Sequence, residues 1–393
     1  MTQVNKFYLA SFLKNQSYFV PIIVLFFQDL NLSYSQIFWV FTIGAIFSFI
    51  VEIPTGVISD LYGSRRSIIW SKFIIFISFI SFGLAFNFWT LIIANLLYEL
   101  GKSFRSGTET AYVYNYLAEN KEAPRYTIVK VNQKFYARLS ESLAALIGGF
   151  IAYRLGFNWV FFIAAIPALI NFLQTLSWAH LEEANHSTSK NLKSGFIFTK
   201  NSIKELRGKK IVLNIVINIS LFTAAFSALD KFVQPYMKNV GLDLQYFGAV
   251  YAIFLIIVAF LVKYLAKYEE RWGEAKIMNY SALLAIIPLL ILASGISSFW
   301  AVSLFFIVLI IDNFRSPVAN NLFHEQVGTA NRATMGSILS LVTALNKLWI
   351  LPVIGYFADF FSMSVAIFII SLIVILNSIF FWIKTPRLNY NAS

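Results

Sequence analysis

The chain has 393 residues, of which 58% are hydrophobic and 13% charged, and 41 are phenylalanine. A soluble protein carries about 25% charged residues, so this composition excludes a soluble domain and predicts a polytopic membrane protein. There is no cysteine, hence no disulfide framework and no thiol chemistry. In chain order, twelve apolar segments fall near 7–29, 35–59, 67–86, 88–117, 128–153, 157–178, 211–234, 245–266, 276–294, 299–321, 333–356 and 363–384. Each is long enough to cross about 30 Å of hydrocarbon at 1.5 Å per residue. The N-terminus, MTQVNKFYLASFLKN, lacks a charged n-region followed by a small-residue cleavage site, so its apolar run is expected to remain as a transmembrane helix. One long polar stretch, His180 to Lys210, separates the sixth span from the seventh. It reads as a linker with one amphipathic helix at the membrane surface.

Basic residues orient the chain. Arg65, Arg66, Lys121, Arg125, the linker lysines, Lys263, Lys267, Arg271, Lys276 and Arg332 fall in one set of loops, and Lys6, Lys384 and Arg387 in tails on the same side. The alternate loops offer little beyond Arg154 and Lys238. The positive-inside rule then places both termini and the linker in the cytoplasm. The net charge of +12 is thereby used by membrane orientation, and no nucleic-acid partner is expected.

The two halves repeat. Phe104-Arg105-Ser106 returns as Phe314-Arg315-Ser316, an offset of 210, which also carries Asp60, Gly63 and Arg66 onto Glu270, Gly273 and Lys276. Arg125-Tyr126-Thr127 meets Arg332-Ala333-Thr334, and Gly148 meets Gly355, at an offset of 207. Ordered matches at a nearly constant offset predict two six-helix bundles, 1–180 and 211–393, joined by the linker 181–210. Such parallel repeats are a secondary-transporter architecture, with the ligand site near the midplane between the halves.

The segment Glu52-Ile-Pro-Thr-Gly56-Val-Ile-Ser-Asp60-Leu-Tyr-Gly63-Ser-Arg65-Arg66 resembles the loop signature of the major facilitator superfamily, Gly-x-x-x-Asp-(Arg/Lys)-x-Gly-(Arg/Lys)-(Arg/Lys). Leu61 and Ser64 depart from it. Ser106-Gly107-Thr-Glu109-x-Ala111-Tyr-x-Tyr114 and Arg332-Ala333-Thr334 resemble a bacterial efflux-type branch, although Asn115 stands where members often carry aspartate. Gly148-Gly149 resembles the end of a drug-antiporter signature in the fifth span, with Ala144-Ala145 in place of its Gly-Pro. The resemblance implies an all-α membrane protein of twelve transmembrane helices in two pseudo-symmetric bundles, in the bacterial inner membrane. It also implies that Gly56, Asp60, Gly63, Arg65 and Arg66 form a cytoplasmic gate motif. On physical grounds, Gly56 and Gly63 permit close helix approach and a tight turn, and Asp60 can pair with Arg65 or Arg66.

A charge at mid-bilayer costs about 2.5–3.5 kcal/mol, so intramembrane charges are expected to face protein or water. The fourth span holds Glu99, Lys102, Arg105 and Glu109, which fall on one face of a continuous helix at 100° per residue. The fifth holds Lys134, Arg138 and Glu141, and the first Lys14, Asn15 and Tyr18. In antiparallel spans, Lys102 and Arg105 should lie level with Arg138 and Glu141, and Glu109 near Lys134, Lys14 and Glu52. The second half offers Asp312 and Arg315, with Lys347 and Asp230-Lys231, and Asp312 takes the repeat position of Lys102. These residues form the expected substrate and ion cavity, with Glu109, Glu141 and Glu52 the first carboxylates to test for proton exchange. The aromatic residues are expected mostly to pack against lipid. His180, His186 and His324 lack metal-ligand spacing and no phosphate-cradling glycine loop is present, so no metal, cofactor or direct ATP coupling is expected.

The reading is therefore a monomeric secondary transporter, not an enzyme, that exports a small organic solute in exchange for protons. Uptake or facilitated diffusion of a polar metabolite or siderophore is the first alternative, and a non-transporting sensor or scaffold on the same fold the second.

Overall fold

A computed structural model describes residues 1–181, 210–266, 269–327 and 332–383. Most of the expected linker, with His186, lies outside the described residues, as do Lys267, Lys384 and Arg387. All regular elements among the described residues are helices: α1 Gln3–Lys14, α2 Ile23–Asp29, α3 Tyr34–Tyr62, α4 Ser64–Gly83, α5 Phe88–Arg105, α6 Thr108–Glu119, α7 Tyr126–Leu155, α8 Phe157–Leu176, α9 Lys210–Asn239, α10 Leu244–Ala266, α11 Glu269–Trp272, α12 Glu274–Ala293, α13 Val302–Val327, α14 Arg332–Phe360 and α15 Met363–Phe380. Among the described residues, eight helices are long and apolar enough to cross a membrane.

Two expected spans are each broken in two, which corrects the reading of twelve continuous helices. The first ends at Lys14 and resumes at Ile23. Its break holds Asn15, Gln16, Ser17 and Pro21. Asn15 donates its side-chain amide to the Ser11 carbonyl at 2.6 Å, competing with the helix for its own acceptor. Pro21 has no N–H to offer the next turn. The fourth span breaks between Arg105 and Thr108, at Gly107 with φ +72°, a conformation that side chains other than glycine's rarely adopt.

The described residues form two compact units. One holds residues 1–181 with Met237–Ile256, the other 210–236 and the described residues from Ile257 on. In the first, α4 packs on α5 and α8, α3 on α5, and α1 on α7 and α8. It has two apolar cores. Phe26, Phe27, Ile37, Ile75, Phe82 and Phe161 belong to one, and Phe7, Ile68, Tyr112, Val113, Leu117 and Trp178 to the other. In the second unit α12 packs on α13 and α15. There Asn218 and Asn279 donate side-chain amides to the carbonyls of Phe381 (2.9 Å) and Ile383 (2.8 Å), fixing the chain that leaves α15.

Close approach explains part of the glycine pattern. A Cβ on Gly148 of α7 would lie 1.9 Å from the Tyr18 carbonyl oxygen, so this glycine lets the unwound part of the first span lie against α7. Its neighbour Gly149 faces Gly248 of α10, whose own Cβ would lie 2.0 Å from the Ala145 carbonyl oxygen. Gly56, by contrast, has open space where a Cβ would go, so close helix contact is not its role. We expect Gly148→Ala to cost about 1–3 kcal/mol, the range for overpacking, and Gly56→Ala to stabilise or leave the fold unchanged. Thermal unfolding in detergent distinguishes them, and equal melting of the two variants would contradict the packing described.

Candidate functional site

The break in the first span leaves Lys14 as the last residue of α1, and the break in the fourth leaves Glu109 in the first turn of α6. A cation at a helix C-terminus and an anion at an N-terminus both suit the helix dipole. They meet each other. Glu109 accepts from Lys14 Nζ at 3.1 Å and from Lys72 Nζ of α4 at 3.2 Å. Lys72 is 2% exposed, so its charge is taken wholly out of solvent and needs the carboxylate. Lys14 lies in the chain between Ala10 of one apolar core and Tyr18, packed on the other; Lys72 lies between Ile68 and Ile75, one from each. The cluster therefore occupies the seam between the two cores.

The last turns of α1 are held by side chains. Ser140 of α7 donates to the Phe12 carbonyl at 2.5 Å, and Asn171 of α8 to the Ala10 carbonyl at 3.4 Å. Ser71, beside Lys72, donates to the Gly101 carbonyl at 2.6 Å and draws α4 onto α5. Ser59 and Thr108 share a hydrogen bond at 3.2 Å, fixing the start of α6 against α3.

The remaining expected residues are placed differently. Because the helix breaks at Gly107, the stripe Glu99, Lys102, Arg105, Glu109 is not continuous: Glu109 is buried, whereas the other three are partly exposed. Lys102 pairs with Glu99 on its own helix at 2.8 Å, and Arg138 with Glu141 at 2.7 Å, so these pairs run along helices rather than between Lys102 or Arg105 and α7. Lys134 is exposed on α7, and Glu52 is exposed on α3 with no ion pair among the described residues. Asn15 caps α1, and Tyr18 contributes its backbone to the contact with Gly148. Lys72 was not among the expected residues. Its signal was a single basic residue inside the apolar segment 67–86, which the search for several charges on one face passed over.

In the second unit, Arg315 of α13 is 2% exposed, against the partly exposed Arg105 at its repeat position. Its guanidinium lies 3.8 Å from the centroid of the Phe222 ring and donates to Asn218 Oδ1 and, at 3.5 Å, to the Met278 carbonyl. Asp312, one turn earlier, is partly buried and forms no ion pair among the described residues.

The gate motif is only partly engaged. Gly63, at φ +91°, makes the turn between α3 and α4, as expected. Arg65 does not pair with Asp60. It donates to the carbonyls of Trp178 (2.9 Å) and Leu176 (2.5 Å), and with Lys6 (to Ser177, 2.6 Å) and Tyr112 (to Ala179, 2.5 Å) it satisfies the end of α8. Asp60 and Arg66 are exposed.

A family model described as Major Facilitator Superfamily matches residues 7–350. The chain belongs to this superfamily. It is 22% identical over 379 residues to the uncharacterized MFS-type transporter YxaM of Bacillus subtilis, covering 95% of this chain and 93% of that one. It is 24% identical over 365 residues to the multidrug resistance protein MdtG of Proteus mirabilis, covering 88% and 85%. A crystal structure of the nucleoside transporter NupG superposes with a TM-score of 0.78 at 15% identity, covering 97% of this chain and 98% of that one, a likeness of fold. The chain is thus a multi-pass membrane transporter of the superfamily, with an all-helical fold.

Removing one partner of a buried ion pair typically costs about 3–5 kcal/mol. Glu109→Gln strands both Lys14 and Lys72 and should lose stability in that range. Lys72→Met leaves the Lys14–Glu109 pair intact and should be milder. If Glu109→Gln melts with the parent protein in detergent, the cluster is not a structural lock.

Proposed function

We propose that this transporter is a secondary active one, moving a small organic solute across the cytoplasmic membrane by alternating access and exporting it in exchange for protons. Both termini are read as cytoplasmic from the distribution of basic residues. The observation that carries the reading is the exposure of Lys134 and Arg138, with Glu141 partly exposed, along α7, a helix of 30 residues and so long enough to cross the bilayer. Charges at that depth are too costly to face acyl chains, so they line water. A wet, charged path through a member of this superfamily is what a solute needs. Lys14, Asn15, Tyr18, Glu52, Glu99, Lys102, Arg105, Glu109, Lys134, Arg138, Glu141, Asp312 and Arg315 are assigned to it, with Lys72 added; Arg315, and Lys72 in contact with Glu109, are buried rather than wetted. Export is supported by the likeness to a multidrug resistance protein.

Ion pairing divides the carboxylates. Glu109, Glu99 and Glu141 each accept from a cation, and a pair must break before any of them takes a proton. Asp312 makes no such pair. It feels the charges of Arg315 on its own helix, Asp230 on α9 and Lys347 on α14. We assign it the proton, ahead of Glu109 and Glu141, which are paired, and of Glu52, which is also unpaired among the described residues but exposed where Asp312 is partly buried. In proteoliposomes with a trapped pH dye, addition of a transported solute should move protons oppositely to the solute. Asp312→Asn should lose gradient-driven accumulation and keep solute exchange. Full gradient-driven accumulation by this variant would remove the assignment. Protons moving with the solute would replace export by uptake, and no flux of any solute would leave a sensor or scaffold.

A further inference from the structure

We infer that the transported solute is an organic anion carrying two or more negative charges on oxygen, as in a phosphomonoester or a di- or tricarboxylate. The inference rests on the transport reading and adds the charge of the cargo. In the first unit a single carboxylate, Glu109, draws cations from four helices. Lys14 of α1 and Lys72 of α4 touch it. Arg105 at the end of α5 and Lys130 of α7 act on the same charge through space, with Lys134 one turn beyond Lys130. That is four basic side chains acting on one acid, with a fifth, Lys134, beside Lys130. Arg105 and Lys130 form no ion pair among the described residues.

An anchoring pair needs one cation for each carboxylate; every further cation in a medium of low dielectric adds self-repulsion. The repeat shows that the fold does not require the excess. At the offset of 210, Lys72 and Glu109 correspond to Ala282 and Ala319, both buried, and Lys102 to Asp312. At the first two positions the second half packs apolar side chains where the first keeps charge, and at the third it carries the opposite charge.

The break in the fourth span adds to the same field. Gly107, the N-cap of the 12-residue helix α6, makes no side-chain cap, and both it and Ser106 are exposed next to Arg105. An uncapped helix N-terminus beside a cation with no partner favours an anion. Arg105, Lys130 and Lys134 are the groups with spare donors, since Lys14 and Lys72 are occupied by Glu109. Two or more such donors match a doubly charged group better than a single carboxylate.

The test uses the full chain, purified in detergent. Thermal unfolding is followed with glycerol 3-phosphate, succinate and citrate, with glycerol, xylose and uridine as uncharged solutes, and with sodium chloride at matched ionic strength. At least one of the three anions should raise the melting temperature saturably above the chloride control. Arg105→Gln and Lys130→Gln should each weaken that anion by roughly tenfold or more, while the unliganded variants melt no lower than the parent. The phosphate and carboxylate arms separate the two sources of charge. The charge assignment is overturned if no anion exceeds chloride, if only uncharged solutes stabilise, or if both variants bind the anion as the parent does. The same six solutes are then offered to proteoliposomes. Flux of an uncharged solute alone removes the anion and keeps the transporter; absence of any flux removes both.

Discussion

Hydrocarbon offers no hydrogen bonds, so every backbone group and every charge at membrane depth must find a partner within the protein or in water. Breaking two spans at mid-depth is costly under that rule, and the first unit is arranged to meet the cost. The carbonyls freed at the end of α1 accept from Asn15, Ser140 and Asn171. Gly148 gives up its side chain so that α7 can meet the Tyr18 carbonyl. The two helix ends so created are then occupied by opposite charges, Lys14 and Glu109, which pair. Lys72 follows from this arrangement, because a fully buried ammonium is tolerable only where a carboxylate is already held.

Position by position, the two halves have solved the same problem differently. Gly107 corresponds at the offset of 210 to Pro317, yet α13 runs unbroken through it from Val302 to Val327. Proline removes one hydrogen bond and keeps the right-handed backbone, whereas glycine at positive φ turns the chain. Arg315 therefore stays on a continuous helix, is buried, and is satisfied by Asn218, the Met278 carbonyl and the Phe222 ring. Arg105 ends a helix and is left partly exposed. One conserved position in the repeat thus yields a packing residue in one half and an available cation in the other.

Much of this was legible in the sequence. Mean hydropathy located the spans, and the motif around Asp60 pointed to the family. Antiparallel depth put Glu109 near Lys134, Lys14 and Glu52, and of these only Lys14 pairs with it among the described residues. What escaped were the helix breaks. Helical projection at 100° per residue assumes a continuous helix, and it placed Glu109 on the face of Lys102; one glycine at positive φ turned it into the interior instead. Asn15, Ser17 and Pro21 carried the signal for the first break, but a window dominated by Phe, Val and Ile averages them away. Gly56 and Arg65 failed in another way. A motif names residue types, not contacts, and only the packing reveals that Gly56 faces open space while Arg65 closes the end of α8.

The distribution of ion pairs ties these features to mechanism. A group that must gain and lose a proton during transport cannot also be the sole counter-ion of a buried lysine, because each protonation would strand that lysine in a dry site. Among the described residues Glu109 is the sole carboxylate in contact with Lys72, so its structural task excludes frequent protonation unless Lys72 moves with it. Asp312 has no such obligation: Arg315 beside it is already held by an amide, a carbonyl and an aromatic face. On the mechanism proposed above, the half that keeps its helix intact exchanges the proton, and the half that breaks its helices holds the cargo.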